Sequence, residues 1–199
     1  MFDLNDITRI ILIIVLILLL VLYFWLRFAL SIEGGLYKRR LKLANDFFED
    51  SVNKESEGNY VEAVVSLDKA IKLNNQQPEY FYFRAIAKSK LHGFKDAIKD
   101  LTSALLLKPD RVEFYEYRMR LYKEIGDYKN AYKDAKYVTV FSPENISAHI
   151  EKANIASLLK DNELVLADLN QALRLAAKLE NAKMVRAISL KIKKYEESV

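Results

Sequence analysis

The chain has 199 residues, no cysteine and a formal net charge of +4, with 31 Lys and Arg against 27 Asp and Glu. The absence of cysteine excludes disulfide frameworks, cysteine zinc sites and thiol nucleophiles. A content of 51% hydrophobic and 29% charged residues is ordinary for a folded domain and excludes a disordered chain.

The first predicted element is a transmembrane helix. Residues 10–26 are seventeen consecutive apolar residues, which at about 1.5 Å per residue cover about 25 Å of a hydrocarbon layer of about 30 Å. Extension to residues 7–32 completes the span, and the long side chain of Arg9 or Arg27 can then reach the headgroups. The aromatic residues 23–25 stand where interfacial aromatics are expected.

A cleavable signal peptide is the alternative interpretation of this segment. The tripeptide at 29–31 offers small residues for a cleavage site. However, the apolar run is longer than the usual run of about 7 to 15 residues, and Arg27 and bulky aromatic residues crowd the site. These features favour an uncleaved anchor.

Residues 33–43 are predicted to be a basic juxtamembrane linker, with Gly34 and Gly35 as its flexible joint. Positive charge collects on the C-terminal side of the span, at Arg27, Lys38, Arg39, Arg40 and Lys42. Because the positive flank of a span stays in the cytoplasm, we expect a single-pass membrane protein whose C-terminal domain is cytoplasmic. The cluster also attracts anionic lipid, by about 1 kcal/mol per residue near the surface, although a role in topology alone would account for it.

The rest of the chain repeats every 34 residues. Two series of small residues have this period: Ala63, Ala97, Ala131 and Val165, and Ala70, Ala104, Val138 and Ala172. Within a unit these residues recur at spacings of three and four, which places them on one face of a helix. Gly58, Gly93 and Gly126 stand just before that helix, where a turn needs a positive φ or a small residue. Each unit is therefore predicted to be a helical hairpin.

The pattern resembles the tetratricopeptide repeat (TPR) family, most closely in "GNYVEAVVSLDKAIKL", "GFKDAIKDLTSALLLKP" and "GDYKNAYKDAKYVTVFSP". The resemblance covers about residues 44–179 as four repeats, 44–77, 78–111, 112–145 and 146–179. It implies an all-α protein in which the transmembrane helix precedes a right-handed superhelical stack of helical hairpins. Repeat four departs from the pattern, with Lys160 and Asn162 in place of the turn glycine and the turn aromatic. Residues 180–199 carry one apolar stripe and are predicted to be a capping helix.

A second series predicts ion pairs within the hairpins. Basic residues at Arg84, Arg118 and Lys152 are each followed sixteen residues later by Asp100, Asp134 and Asp168. The two positions lie close in an antiparallel hairpin, so we expect one cross-helix ion pair in each of repeats two to four. The alternative is that the two charged residues are solvated separately and recur only because the repeats are duplicated. Repeat one has Asp50 and Ser66 at these positions and cannot form the ion pair.

Nothing in the sequence indicates catalysis, and no cofactor or metal is expected. No phosphate-binding glycine loop, nucleophile elbow or metalloprotease motif occurs. His92 falls in a turn, and His149 takes the position of aromatic residues in the other repeats, so neither is expected to be a ligand. Residues 44–199 carry 25 basic and 24 acidic residues, whereas nucleic-acid binding calls for a basic surface. The chain is therefore predicted to be neither an enzyme nor a nucleic-acid-binding protein.

The resemblance implies a concave surface that is lined by the first helix of each repeat. The positions expected to bind a partner there are Phe48, Val52, Tyr82, Ile86, Glu113, Glu116, Arg120, Lys123, Ile150 and Asn154. This surface would be aromatic and apolar near the membrane and charged in the middle, which suits an extended peptide or a helix. Some of the aromatic residues should belong to the core instead, because residues 80–83 are four consecutive aromatics that cannot all face one surface.

One subclass of the family binds the C-terminal carboxylate of heat-shock chaperones through five Lys, Asn and Arg residues on three successive first helices. In this chain those positions hold Phe48, Val52, Phe83, Glu113 and Tyr117, or, one repeat later, Tyr82, Ile86, Tyr117, Ser147 and Glu151. Neither alignment contains a matching residue. Binding of a chaperone tail by a carboxylate clamp is therefore disfavoured.

Together these features predict a membrane-anchored scaffold or adaptor that recruits a protein or peptide partner to the cytoplasmic face of the membrane. Two alternatives stay open at this stage. The repeats could lie on the non-cytoplasmic side, as a component of an envelope or secretion assembly, or the chain could be a secreted soluble binder.

Overall fold

The computed structural model describes the backbone of residues 4–197, and side chains from residue 15 onward except that of residue 29. Within residues 4–197 the structure consists of nine helices without a strand: α1 (Leu4–Ser56), α2 (Tyr60–Leu73), α3 (Pro78–Lys90), α4 (Phe94–Leu107), α5 (Val112–Glu124), α6 (Tyr128–Phe141), α7 (Ile146–Leu158), α8 (Asn162–Lys178) and α9 (Ala182–Glu196). The side chains of Arg9 and residue 29, and the last two residues of the predicted capping helix, lie outside the described set. The all-α prediction and the hairpin stack are confirmed.

Helix α1 has 53 residues and supplies both the apolar segment and the first helix of repeat one. The prediction of a flexible joint at Gly34 and Gly35 is wrong for this structure, because the helix continues through both residues. Glycine costs a helix interior only about 1 kcal/mol relative to alanine, and no proline interrupts the segment. No neighbouring side chain competes either, since the space around both glycines is open.

The helices pair as antiparallel hairpins in chain order. In repeat one, Ala44 of α1 and Ala70 of α2 belong to the same buried cluster, and small residues at such positions allow the two helices to approach closely. In the second and third repeats, the core contains Leu101, Phe114 and Leu121, all of which are buried. Burial of this apolar stripe stabilises each hairpin and joins it to the next one.

The turns inside the hairpins use left-handed residues. Gly58 and Gly126 have φ values of 80° and 74°, as a glycine turn requires. In the second repeat His92 takes this conformation, and in the fourth repeat Lys160 does so, with φ values of 60° and 59°. Gly93 instead needs to be small, because a Cβ atom there would lie 3.2 Å from the carbonyl oxygen of Lys88.

Candidate partner-binding surface

The first helices of the hairpins lie side by side and parallel. The Tyr80 hydroxyl on α3 donates to Asn45 Oδ1 on α1 at 2.5 Å, and the hydroxyls of Ser89 on α3 and Tyr117 on α5 are 2.6 Å apart. An ion pair between Lys123 and Glu151 then joins α5 to α7. We call the face of α1, α3, α5, α7 and α9 that is turned away from the second helices the A-helix surface.

Aromatic rings fill the end of the A-helix surface that is nearest to α1. The ring of Phe48 packs 5.1 Å from that of Phe83 and 5.2 Å from that of Tyr80, measured between centroids. Tyr80 is buried, which confirms that part of the aromatic run belongs to the core. Val52, one turn after Phe48, is exposed at the surface itself.

Tyr82 joins this aromatic end to the middle of the surface. Its ring lies 4.9 Å from that of Phe114 and 5.9 Å from that of Tyr117. Burial raises the pKa of the Tyr82 hydroxyl above its ordinary value. Ile86, one turn later on α3, is half-buried. An apolar strip therefore continues from α1 to α5.

The middle of the surface is charged. The guanidinium group of Arg120 stacks over the ring of Tyr117 at 4.9 Å and donates to the backbone carbonyl of Glu116 at 3.4 Å. Glu113 accepts from Arg111 at 3.2 Å. The pKa of Glu113 is lowered, chiefly by a hydrogen bond with its own backbone. Burial opposes this change, and Arg111 adds to it.

A cavity of about 410 Å³ opens between α5 and α7. Its walls include the predicted residues Glu116, Arg120 and Lys123, together with Met119 and Glu151. Because Lys123 is already paired with Glu151, whereas no ion pair between described residues involves Arg120, the guanidinium of Arg120 is the cation best placed to meet an acidic group of a partner.

A second cavity of about 430 Å³ lies between α7 and α9. It is lined by the predicted residue Ile150 and by Met184, Ala187 and Ile188, with Lys183, Lys191 and Asn181 at its margin. The predicted residue Asn154 lies beside it and accepts a hydrogen bond from Lys191. This part of the surface is apolar with a cationic rim.

Sequence reasoning missed the contribution of α9, which it treated as a cap alone. Met184, Ile188 and Lys191 stand 34 residues after Ile150, Asn154 and Ser157. Helix α9 thus takes the place of the first helix of a fifth repeat, and the Tyr195 hydroxyl donates to Ser157 Oγ of α7 at 2.5 Å. Continuing the 34-residue count beyond residue 179 would have found these three residues.

The predicted ion pairs form beneath this surface. Arg84 donates through Nε to Asp100 Oδ2 at 2.9 Å and through Nη2 to Oδ1 at 2.5 Å. Arg118 makes the same two-pronged contact with Asp134, at 2.8 Å for both bonds. Lys152 Nζ lies 2.8 Å from Asp168 Oδ1. The expectation of one pair in each of repeats two to four is confirmed.

Repeat one replaces the ion pair with a hydrogen-bonded group of three side chains. Ser66 Oγ donates to Asp50 Oδ2 at 2.5 Å, and Lys54 Nζ donates to the same oxygen at 2.8 Å. The hydrogen bonds from Lys54 and Ser66 lower the pKa of Asp50. The polar residues that weaken the apolar pattern of this helix are therefore bonded to one another.

The two histidines lie in different environments. His149 is buried, and its Nε2 lies 3.0 Å from the carbonyl oxygen of Pro143. Tyr115 makes the equivalent hydrogen bond one repeat earlier, to Pro109 at 3.1 Å. His92 is exposed in the turn after α3. Among the described residues, no group of three or more His, Asp and Glu side chains is arranged to hold a metal ion.

The apolar part of α1 is exposed throughout its described length. The stretch Val15–Ser56 contains an 18-residue window with a mean hydropathy of 2.4, and no part of that window is buried. By length and composition this helix can cross a membrane, and a signal sequence would meet the same two criteria. The basic residues at its end are exposed on the same helix, namely Arg27, Lys38, Arg39, Arg40 and Lys42.

Comparison with known proteins shows where the fold recurs. No protein-family model and no curated protein matches this chain. Among solved structures, MamA from Desulfovibrio magneticus superposes with a TM-score of 0.61 at 18% identity, over 78% of this chain and 96% of that one. A tetratricopeptide repeat protein from Parabacteroides merdae gives 0.68 at 19% identity, over 79% and 61% of the two chains.

A third solved structure holds a ligand. The first TPR of Spaghetti (RPAP3), bound to the HSP90 peptide SRMEEVD, superposes with a TM-score of 0.56 at 24% identity, over 60% of this chain and 95% of that one. These likenesses agree with the 34-residue period and the hairpin geometry. This chain therefore has the tetratricopeptide repeat fold.

Proposed function

We propose that this protein is a membrane-anchored scaffold or adaptor, which binds a protein or peptide partner on its A-helix surface and recruits it to the cytoplasmic face of the membrane without catalysis. The observation that carries the proposal is the pair of cavities, of about 410 and 430 Å³, on one surface. Four of the ten predicted positions line them: Glu116, Arg120, Lys123 and Ile150. Concave sites with an apolar base and a few polar groups are typical of ligand binding.

The proposed organisation assigns residues 7–32 to the anchor, 33–43 to the basic juxtamembrane segment, 44–179 to the four repeats and 180–199 to the capping helix. Arg27 and the basic residues at 38–42 would set the topology and contact lipid headgroups. A nucleic-acid partner is disfavoured, since the repeats carry nearly equal numbers of basic and acidic residues.

A chaperone tail held by a carboxylate clamp is also disfavoured as the partner. The TPR of Spaghetti was solved with such a chaperone peptide, but the five clamp positions of this chain hold no matching side chain in either alignment. In the first alignment they include Phe48 and Phe83, whose rings pack against each other. The aromatic end of the surface would instead accept apolar side chains of a partner.

The anchor can be tested with Trp25, which is the only tryptophan of the chain. We expect its fluorescence in reconstituted vesicles to be quenched by brominated lipid, because the aromatic residues lie at the end of the apolar segment. Emission that is insensitive to brominated lipid, together with release of the protein by alkaline carbonate, would refute the anchor. The intact mass of the purified protein tests cleavage after the apolar segment at the same time.

The orientation can be tested by cysteine labelling, since the chain has no native cysteine. Leu91, which is exposed in the turn after α3, provides a suitable site as Leu91→Cys. A membrane-impermeant maleimide should label this variant only after the cells are broken. Labelling in intact cells would place the repeats on the non-cytoplasmic side and favour an envelope or secretion assembly.

Partner binding can be tested by photocrosslinking from position 82. We expect a crosslinked protein whose capture falls in the variants Arg120→Glu and Met184→Glu, which alter the two cavities. The exposed residue Lys95, in the first turn of α4, supplies the control variant Lys95→Glu. Equal loss of capture in all three variants, or capture of lipid alone, would contradict binding on the A-helix surface.

A further inference from the structure

The second helix of every hairpin returns toward the membrane-spanning segment. Helix α1 runs from that segment to Ser56, and α2 packs against it in the antiparallel direction, as the Lys54–Glu62 and Asp50–Ser66 contacts show. Since the first helices are parallel to one another, α4, α6 and α8 also return in the direction of α2. The C-terminal ends of these four helices form one edge of the stack, which we call the span-side edge.

Two apolar side chains on this edge are the most exposed large hydrophobic residues of the described chain. Leu106 is 82% exposed and Val140 is 71% exposed, and they occupy equivalent positions 34 residues apart at the ends of α4 and α6. The equivalent positions in α2 and α8 hold cations, Lys72 and Arg174. Across the four repeats this position therefore reads cation, apolar, apolar, cation.

The surroundings of Val140 share this character. A cavity of about 320 Å³ is lined by Lys133, Lys136, Tyr137 and Val140, so that two ammonium groups flank an aromatic ring and an aliphatic side chain. The adjoining loops contain three acidic residues, Asp110, Glu144 and Glu180. Glu144 is already paired with Lys178 at 2.9 Å, and Lys133, Lys136 and Arg174 outnumber the other two acidic residues. Exposed apolar and aromatic side chains among lysines are typical of surfaces that lie on anionic lipid.

We propose that the span-side edge docks on the anionic bilayer surface, with Leu106 and Val140 entering the headgroup layer and the neighbouring cations contacting lipid phosphates. The proposal rests on the membrane anchor of the proposed function, and it adds a second point of contact. The bilayer would cover the most exposed apolar side chains of the repeats. Its negative charge is opposite to that of the nearby cations Lys133, Lys136 and Arg174.

The distances permit this contact. Leu43, which lies opposite the end of α2, is eleven residues beyond Ile32, so the edge begins about 16 Å above the hydrocarbon. The headgroup layer accounts for about 5 to 7 Å of this height. Two interhelical steps of about 10 Å separate α1 from α5. A tilt of α1 by about 35°, within the range of membrane helices, brings the end of α4, one step from α1, to about 8 Å above the hydrocarbon and the end of α6, two steps away, to about 2 Å. Val140 then lies within the headgroup layer, and Leu106 lies at its outer limit.

The test uses the full chain in vesicles, with an environment-sensitive NBD label on a single cysteine. Leu106→Cys and Val140→Cys place the label on the edge, and Leu91→Cys places it on the opposite side as a matched control. We expect brighter, blue-shifted emission and quenching by spin-labelled lipid at positions 106 and 140 in phosphatidylcholine vesicles that contain phosphatidylglycerol, and no such change at position 91.

Charge reversal tests the role of the cations. Arg174→Glu, on the part of the edge that the tilt lowers, should reduce the ratio of docked to undocked protein about fivefold or more, the fold-change that corresponds to about 1 kcal/mol for a cation near the surface. The control Lys95→Glu should leave it unchanged. Docking that is equal with and without phosphatidylglycerol would overturn the electrostatic part of the proposal.

The remaining outcomes separate this proposal from the anchor. Equal emission at all three labels, with Trp25 quenched by brominated lipid, would overturn the docked edge and leave the anchor standing. Protection of positions 106 and 140 from iodide that rises with protein concentration, without lipid quenching, would identify a second protein copy as the occupant and overturn docking on lipid. Loss of both the Trp25 and the NBD signals would refute the anchor and the docked edge together.

Discussion

The Arg118–Asp134 ion pair offers a sharp test of how the hairpins are held together. Both side chains are nearly buried, at 14% and 3% exposure, and two hydrogen bonds of 2.8 Å join them. Removing one partner of such a pair leaves an unpaired buried charge, which costs about 3–5 kcal/mol. Replacing both partners with apolar residues is often neutral or stabilising.

We therefore expect Asp134→Leu and Arg118→Met each to lower the free energy of unfolding by about 3–5 kcal/mol, and the double variant to lie within about 1 kcal/mol of the parent or above it. Urea unfolding of the full chain in detergent micelles, followed by far-UV circular dichroism, measures all four proteins. The exposed pair of Asp96 and Lys99, also 2.8 Å apart, is the control, and Asp96→Ala should cost less than about 0.5 kcal/mol.

The pH dependence gives the same reasoning a second test. Burial raises the pKa of Asp134 above its ordinary value, although Arg118 opposes the change. A raised native pKa means that the folded state binds the proton more tightly than the unfolded state does, so the contribution of Asp134 falls as pH rises through that native pKa. The parent should therefore lose stability relative to the double variant as the pH rises from below about 4.

Two results would refute this account of the pair. If the losses of the two single variants add up in the double variant, the two side chains do not interact. If the parent instead gains stability relative to the double variant over this pH range, then hydrogen bonding to Arg118 outweighs the burial of Asp134, and the assigned direction of the pKa change is wrong.

Three further predictions concern the backbone and the core. Lys160→Gly should stabilise the protein by about 0.5–1 kcal/mol in the same unfolding assay, because a left-handed lysine costs more than the added chain entropy of glycine; a loss of stability would contradict this. Phe114→Ala should cost about 3–5 kcal/mol, since the ring is fully buried between repeats, and a cost below about 1 kcal/mol would show that it is not a core residue. Gly34→Ala and Gly35→Ala should each stabilise α1 by about 1 kcal/mol, seen as slower amide exchange at residues 33–43; unchanged exchange would count against the continuous helix.

Much of the fold could be predicted because the 34-residue period constrains many positions together. Arg84 and Asp100 are an example. Their sequence separation is fixed by the length of a hairpin, so a repeated pair of opposite charges at that separation predicted a contact that the structure contains. The same period predicted the buried small residues, since Ala63 and Ala97 occupy one packing position in successive repeats.

Other features could not be predicted because they depend on contacts outside the repeat pattern. At Gly34 and Gly35 the local preference is weak, and the outcome depends on whether anything nearby competes with the helix; nothing does. In repeat one the sequence correctly predicted that Asp50 and Ser66 form no ion pair, but it did not predict their hydrogen bond, in which a hydroxyl replaces a cation as the donor to the carboxylate. The contribution of α9 was missed for a simpler reason, since the count of repeats stopped at residue 179.

If residues 7–32 span a membrane as proposed, the continuity of α1 also places the proposed binding surface relative to that membrane. Phe48 lies sixteen residues beyond Ile32 on the same helix, which puts it about 24 Å from the end of the apolar segment. The A-helix surface crosses α1, α3, α5, α7 and α9 in turn, so a peptide bound along it runs across the helix axes and is inclined to the membrane by the tilt of α1. A scaffold built in this way would hold its partner at a set angle to the membrane, with the aromatic end of the surface nearest to the anchor and the cationic cavity of α9 farthest from it.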